Sequence, residues 1–433
     1  MSADHPSGAA LMAAPGGWRH GLRYGLLGLP LAFAALPLYV VWPNHYARAY
    51  GVSLAALGAV LLGARLFDAF IDPLIGRWCD AWFRHSHGRV LAVVGGAATL
   101  LALGFAGLFF PPVAGRSPTA LLVWAVALLL LTYTAYSVVS VAHQSWGAML
   151  GGTEPQRARV VAWREALGLA GVVLAALLPS LAGLGSTVAV FATGLAVGWW
   201  AWTRSLRPLT SAPDPAAPTV SLWAPLRQPA FVRLLGVFML NGIASAVPAT
   251  LVLFFVQDKL QASAAVEPAF LGTYFLCAAA SMPLWLRVVA RLGLVLAWRL
   301  GMGLSVAVFA WAAFLGPGDV WTFLAVCALS GLALGADLAV PGALLAGVIA
   351  DLGERGRGEG RYVGWWNFAS KFNLALAAGL ALPLLAWWGY APGQRDAQAL
   401  TALTWAYCVL PCGLKLLAAA GLQRFLLQEK ASP

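Results

Sequence analysis

The chain has 433 residues, of which 61% are hydrophobic and 10% charged, with a formal net charge of +11; its mean hydropathy is +0.79. A soluble domain carries about 25% charged residues, so this chain has too few to cover a water-facing surface and most of its surface faces lipid. The positive charge sits in short joints between apolar runs, a pattern of membrane topology that argues against nucleic acid as a partner.

A spanning helix needs about 20 apolar residues. In chain order that window predicts spans at 24–45, 52–78, 90–110, 119–149, 160–182 and 185–203, then at 230–256, 267–287, 293–315, 320–350, 362–388 and 397–425. The first span follows Arg19 and Arg23, is too long for a signal-peptide core, and contains no carboxylate. The second carries Arg65, Asp68 and Asp72. Residues four apart on a helix differ by about 40° and rise about 6 Å, so both carboxylates share a face with Arg65 on the same stripe. Such a pair supplies oxygens to a hard cation such as Na⁺ or Li⁺, or shares a proton; the alternative is a structural Arg–Asp pair with a spare Asp. The joint that follows holds Gly76, Asp80 and Arg89, the elements of a tight helix end and a charge latch at the cytoplasmic face.

On the fourth span Ser137 and Ser140 lie three apart and are followed by His143 and Gln144. They are candidate ion and substrate contacts, although serines within the membrane also serve helix packing. Arg164 and Glu165 open the fifth span, where Arg164 either reaches a cavity or snorkels to the interface. The stretch 204–229, rich in Pro, Ser and Ala, is the only long polar connector. Asn241 on the seventh span is a weaker substrate candidate. Asp337 lies in the tenth span, and the Gly-rich joint from Asp351 offers a second cytoplasmic gate or a solvated loop. The eleventh span begins with Trp365 and Trp366, read as interfacial belt residues, and contains Lys371. A lysine there needs an anion, supplied by Asp337 or by the Asp68/Asp72 pair. Lys415, in the twelfth span, is assigned to the cavity because snorkelling from mid-helix is awkward.

Basic residues are distributed unevenly: twenty lie on the side of both termini and the long connector, and four (Arg48, Arg116, Lys259 and Arg395) lie opposite. This places both termini in the cytoplasm. The five cysteines, Cys79, Cys277, Cys327, Cys408 and Cys412, form no CxxC pair and suggest neither disulfide nor metal site. Of the six histidines only His143 lies well inside a span, so the clustered groups of a membrane-embedded enzyme are missing.

The stretch ARLFDAFIDPLIGRWCDAWFRHSHGR, which supplies Arg65, Asp68, Asp72, Pro73, Gly76, Gly88 and Arg89, resembles the second-span signature of the glycoside–pentoside–hexuronide:cation symporters, the melibiose permease group of the major facilitator superfamily. The fourth span from Tyr136, Arg164 on the fifth, and the segment from Asp337 through DLGERGRGEGR to Lys371 are similar to the same family. The resemblance implies a cation site of Asp68 and Asp72 with Ser137 at a hydroxyl position, and Lys371 nearby. It also marks departures. Ile71 replaces an Asn that helps select Na⁺, Ser140 replaces the fourth-span Asp of sugar-binding members, and Gln144 replaces a Trp.

The expected architecture is therefore an all-α membrane protein of about twelve transmembrane helices in two six-helix bundles, 1–203 and 230–433, joined by a cytoplasmic linker at 204–229. The expected function is secondary symport of a small organic solute, such as a sugar or glycoside, by alternating access, with Na⁺ or H⁺ as coupling ion and no other cofactor. The cation site is Asp68, Asp72 and Ser137, with Arg65, Lys371 and Asp337 as charge partners. Substrate contacts are Ser140, His143, Gln144 and Arg164, and the gate is Gly76, Asp80, Arg89 and Asp351. The same scaffold also suits a lysophospholipid or other amphiphile. A monomer in a bacterial inner membrane, contacting lipid, solute and cation but no nucleic acid, completes the expectation.

Overall fold

A computed structural model describes all residues except 1–10, 13, 15–16, 114–116, 209–220, 264–265, 392 and 430–433. Arg116, Lys430 and residues 209–220 of the predicted linker therefore lie outside the described residues. The described chain is helical throughout its spans: α1 Trp18–Tyr50, α2 Leu54–His85, α3 His87–Phe109, α4 Pro118–Met149, α5 154–182, α6 184–203, α7 Pro229–Lys259, α8 267–292, α9 294–312, α10 Val320–Asp351, α11 Glu359–Trp387 and α12 Ala397–Arg424. This is an all-α membrane protein of twelve spans.

Local chemistry sets the ends. Ser53, Ser86, Ser117 and Asp396 each accept a backbone N–H in the first turn of the helix that follows, at 3.0–3.2 Å. The Thr153 N–H donates to Gln156 Oε1 at 2.9 Å as half of a capping box at the start of α5. Two joints have no loop at all. Gly183 (φ 77°) turns α5 into α6 and Gly293 (φ 78°) turns α8 into α9, a left-handed backbone that glycine adopts without a side-chain clash. Three helices carry a π turn: Pro37–Val41 in α1, Phe255–Lys259 in α7 and Trp405–Val409 in α12. The first two occupy the opening helix of each half, a repeat that residue identities do not reveal.

Contacts separate the described chain into two compact units: residues up to Pro225 together with Ala346–Phe368, and Leu226–Leu345 together with Ala369–Pro433. The division thus falls inside α10 and α11 as well as at the end of the connector. In the first unit Phe105 lies 4.2 Å from Phe191, which stacks at 5.9 Å on Phe33, tying α3, α6 and α1. In the second, Phe255 stacks on Tyr407 at 4.2 Å and meets Phe323, which meets Phe270 edge-on at 4.9 Å. Large apolar side chains remain outside these cores, among them Leu62, Phe70, Leu103, Leu131 and Leu181. Exposed apolar side chains of this kind suit a chain whose spans are surrounded by lipid.

Candidate cation and solute site

The first unit brings together the sequence-predicted groups of α2 and α4. Asp68 and Asp72 are 3% and 0% exposed, and Ser137 is fully buried. Ser137 Oγ donates to Asp68 Oδ1 at 3.0 Å. Pro73 follows Asp72 inside α2 and has no N–H to give the Ala69 carbonyl, so backbone oxygen is freed between the two carboxylates. Arg65, one turn away, lies against an aromatic ring. Its guanidinium carbon lies 3.7 Å from the centre of the Tyr39 ring, a cation–π contact worth about 0.5–2 kcal/mol. Tyr39 sits in the π turn of α1 and lies 6.3 Å from the Tyr133 ring of α4. Tyrosines 39 and 133 were not singled out in the sequence. The π turn that presents Tyr39 has no sequence signature, and tyrosine in a span reads first as an interfacial residue.

Tyr133, Ser137, Ser140 and Gln144 follow one another at spacings of four, three and four, which lines them along one face of α4. At the end of this stripe Gln144 Nε2 donates to Ser140 Oγ at 2.9 Å and to Asn367 Oδ1 of α11 at 3.1 Å. The stripe offers hydroxyl and amide groups, and through Ser137 it meets the Asp68 carboxylate of α2.

His143 points elsewhere. It is fully buried, its Nε2 lies 2.8 Å from the Tyr24 carbonyl, its own carbonyl accepts from the Tyr24 hydroxyl at 3.1 Å, and Trp202 meets its ring edge-on. It fastens α1, α4 and α6 together. Arg164 pairs with its neighbour Glu165, Nε donating to Oε1 at 3.0 Å, and remains partly exposed.

A glycine seam lies one turn beyond Asp72. A side chain at Gly76 would meet the Gly360 carbonyl at 2.1 Å, and one at Gly364 the Asp72 carbonyl at 2.6 Å, so α2 and the start of α11 touch backbone to backbone. Asp80 closes the seam. Its Oδ1 accepts the Gly360 N–H at 2.6 Å, and its Oδ2 accepts the Arg361 N–H at 3.2 Å and Arg361 Nε at 3.0 Å. Arg361 also reaches Glu354 at 3.2 Å. Of the four predicted gate residues, Gly76 and Asp80 meet here. Arg89 is an exposed residue in the first turn of α3, where its N–H is capped by Ser86. Asp351 is exposed at the end of α10, one turn beyond Gly347, against which the Arg157 guanidinium packs.

Lys371 and Asp337 belong to the second unit. Asp337, one of the two anions the sequence offered to Lys371, has a different lysine as its ion-pair partner. Lys415 of α12 takes that place, its Nζ 2.9 Å from Asp337 Oδ2. Asn241 and Ser245 of α7 and Trp298 of α9 also donate to Asp337, at 3.0, 3.4 and 2.8 Å, and Lys415 donates to Asn241 Oδ1 at 2.8 Å. Asn241 and Lys415, read as cavity residues, are thus parts of a closed polar network inside one unit. Among the described residues no group of three His, Cys, Asp or Glu converges as a metal site.

Comparison with known proteins agrees with this architecture. The chain is 25% identical over 427 residues to the glucuronide carrier protein homolog of Escherichia coli (strain K12), covering 93% of this chain and 91% of the relative. A crystal structure of a bacterial homologue of the iron transporter ferroportin in its outward-facing state superposes with a TM-score of 0.73 at 15% identity, covering 94% of this chain and 98% of the other. The Escherichia coli fucose:proton symporter superposes with a TM-score of 0.65 at 13% identity, covering 92% and 98%. Both structures share the fold. The family described as MFS/sugar transport protein matches residues 22–429. The chain therefore belongs to this family of the major facilitator superfamily: it is an integral membrane transporter and not an enzyme, as its resemblance to the melibiose permease group implied.

Proposed function

We propose that this transporter couples the uptake of a sugar-derived solute to a cation held at Asp68 and Asp72. The observation that carries the reading is the pair of buried carboxylates on one face of α2, with the Ser137 hydroxyl on the first. Two carboxylates so close in a low-dielectric interior cannot both stay ionised cheaply. A bound Na⁺ or a proton takes up one of the pair's two charges, and the two carboxylates with the Ser137 hydroxyl are a fitting start to a hard-cation shell. The solute then occupies the polar face of α4. Ser140 and Gln144 offer neutral hydrogen bonds there, and Arg65 and Arg164 supply positive charge for a carboxylate-bearing sugar, the class named for the Escherichia coli relative. With both ligands bound more of the buried charge is paired than with either alone, so occluding the site costs least. Alternating access under that rule moves cation and solute together. The basic side, which carries both termini, is assigned to the cytoplasm of a bacterial inner membrane by the positive-inside rule, and the protein works as a monomer.

The test is uptake into energised membrane vesicles of a labelled glucuronide, a labelled galactoside and a labelled lysophospholipid, each with and without a Na⁺ gradient and with and without a pH gradient. The expected result is gradient-driven accumulation of the glucuronide, lost in Asp72→Asn while the protein remains inserted. Accumulation by Asp72→Asn equal to wild type would remove the coupling role. Movement of lysophospholipid alone would replace the sugar reading by the amphiphile reading.

A further inference from the structure

We propose that a groove between the lipid-facing sides of α9 and α12 holds one anionic phospholipid, its phosphate on Arg299 and one acyl chain along the groove. The groove encloses about 180 Å³. Its walls are Leu296, Leu300, Val306 and Leu416, with Gly303 and the stem of Lys415. The three leucines are 39–56% exposed, so the walls open to hydrocarbon. Pockets for whole soluble ligands run to roughly 300–1,000 Å³. This one is smaller, apolar, and open to the bilayer, which fits part of a molecule already dissolved in the membrane.

Charge selects the kind of lipid. Arg299 stands at the end of the groove nearest the basic joints, partly buried, with Nη2 donating to the neutral Gln423 side chain at 3.1 Å. Arg424 is exposed beside Gln423. Among the described residues no carboxylate lines the groove. Asp337, the ion-pair partner of Lys415, is already matched by that lysine. An arginine with a neutral partner beside an apolar trench at the membrane surface is complementary to a phosphate diester whose chain fills the trench. The chain would also cover the Lys415 stem and keep water from the Lys415–Asp337 pair.

The experiment is native mass spectrometry of the full chain, counting retained lipid after exchange into mixtures of phosphatidylglycerol and phosphatidylcholine, with inorganic phosphate as a third arm. Wild type is expected to retain phosphatidylglycerol over phosphatidylcholine by about tenfold at one site, the worth of one charge-assisted bond. Arg299→Gln is expected to abolish that preference and Arg299→Lys to restore part of it. Gly303→Leu, whose added side chain starts in open space, fills the trench and is expected to release both lipids. Equal retention of the two lipids by wild type, or an unchanged preference in Arg299→Gln, overturns the proposal. Displacement of phosphatidylglycerol by inorganic phosphate alone also overturns it, by reducing the site to an anion contact.

Discussion

Glu359 begins α11 just ahead of the predicted 362–388 span, and it is 1% exposed. Its Oε1 accepts the Gly356 N–H at 2.7 Å, whereas Oε2 is buried with no hydrogen-bond partner among the described residues. Burial pushes its carboxyl up to about 8, against the pull of the backbone N–H groups, and the nearby Asp80 adds to the rise. The fold therefore favours the protonated acid. Its contribution to stability is fully present below the unfolded value near 4.5 and is lost as pH rises toward 8, at no more than roughly 1.4 kcal/mol per unit. The melting temperature of the purified protein is expected to fall between pH 5 and pH 8, and Glu359→Gln to flatten that slope; parallel slopes in the two proteins would dismiss the role. Nothing in the sequence marked Glu359, because a glutamate in a Gly- and Arg-rich joint reads as solvated. Asp68, Asp72 and Ser137 were legible because carboxylates in an apolar span are costly and a helical spacing of four places them on one face. His143 shows the limit of that logic: being polar and inside the membrane did not say whether it faced a solute or a neighbouring tyrosine.

At the scale of helices, the network of α7, α9, α10 and α12 depends on one ion pair. Lys415→Met leaves the partly buried Asp337 carboxylate without its cation, which is expected to cost about 1–3 kcal/mol. Adding Asp337→Asn removes the orphaned charge and is expected to recover most of the loss. Denaturant unfolding in detergent measures both, and a double variant as unstable as the single would show that the pair does not act as a unit. The sequence supplied two lysines, Lys371 and Lys415, and a tenth-span aspartate, but not which lysine reaches it. That choice rests on the rotation of α12 about its axis, which is set by the packing of Ala406, Tyr407 and Cys408 into the aromatic cluster around Phe255. The spans themselves were readable. The Gly183 and Gly293 joints were narrower than charge counting implies, because one left-handed glycine replaces a loop.

For the molecule as a whole, the contact of Asp80 with the start of α11 attaches 346–368 to the first unit. If this latch opens during the transport cycle, weakening it exposes what lies beneath. Cys79 is 0% exposed one residue before Asp80. In a background with the other four cysteines replaced, Asp80→Asn is expected to raise the rate of Cys79 alkylation by roughly ten- to a hundredfold, the worth of losing charge-assisted bonds from Arg361 and two backbone donors. An unchanged rate would mean the glycine seam holds without the carboxylate.

The sequence alone determined the class, the number of spans, the uneven placement of positive charge and the carboxylate pair of α2. Each follows from local composition or from helical spacing, which a chain carries without reference to its neighbours. Tertiary structure decided which groups are partners: Tyr39 under Arg65, Lys415 rather than Lys371 at Asp337, His143 against Tyr24, and Asp80 on the N–H groups of Gly360 and Arg361. These pairings join residues far apart in the chain across helix faces whose rotations and depths are fixed only when side chains pack.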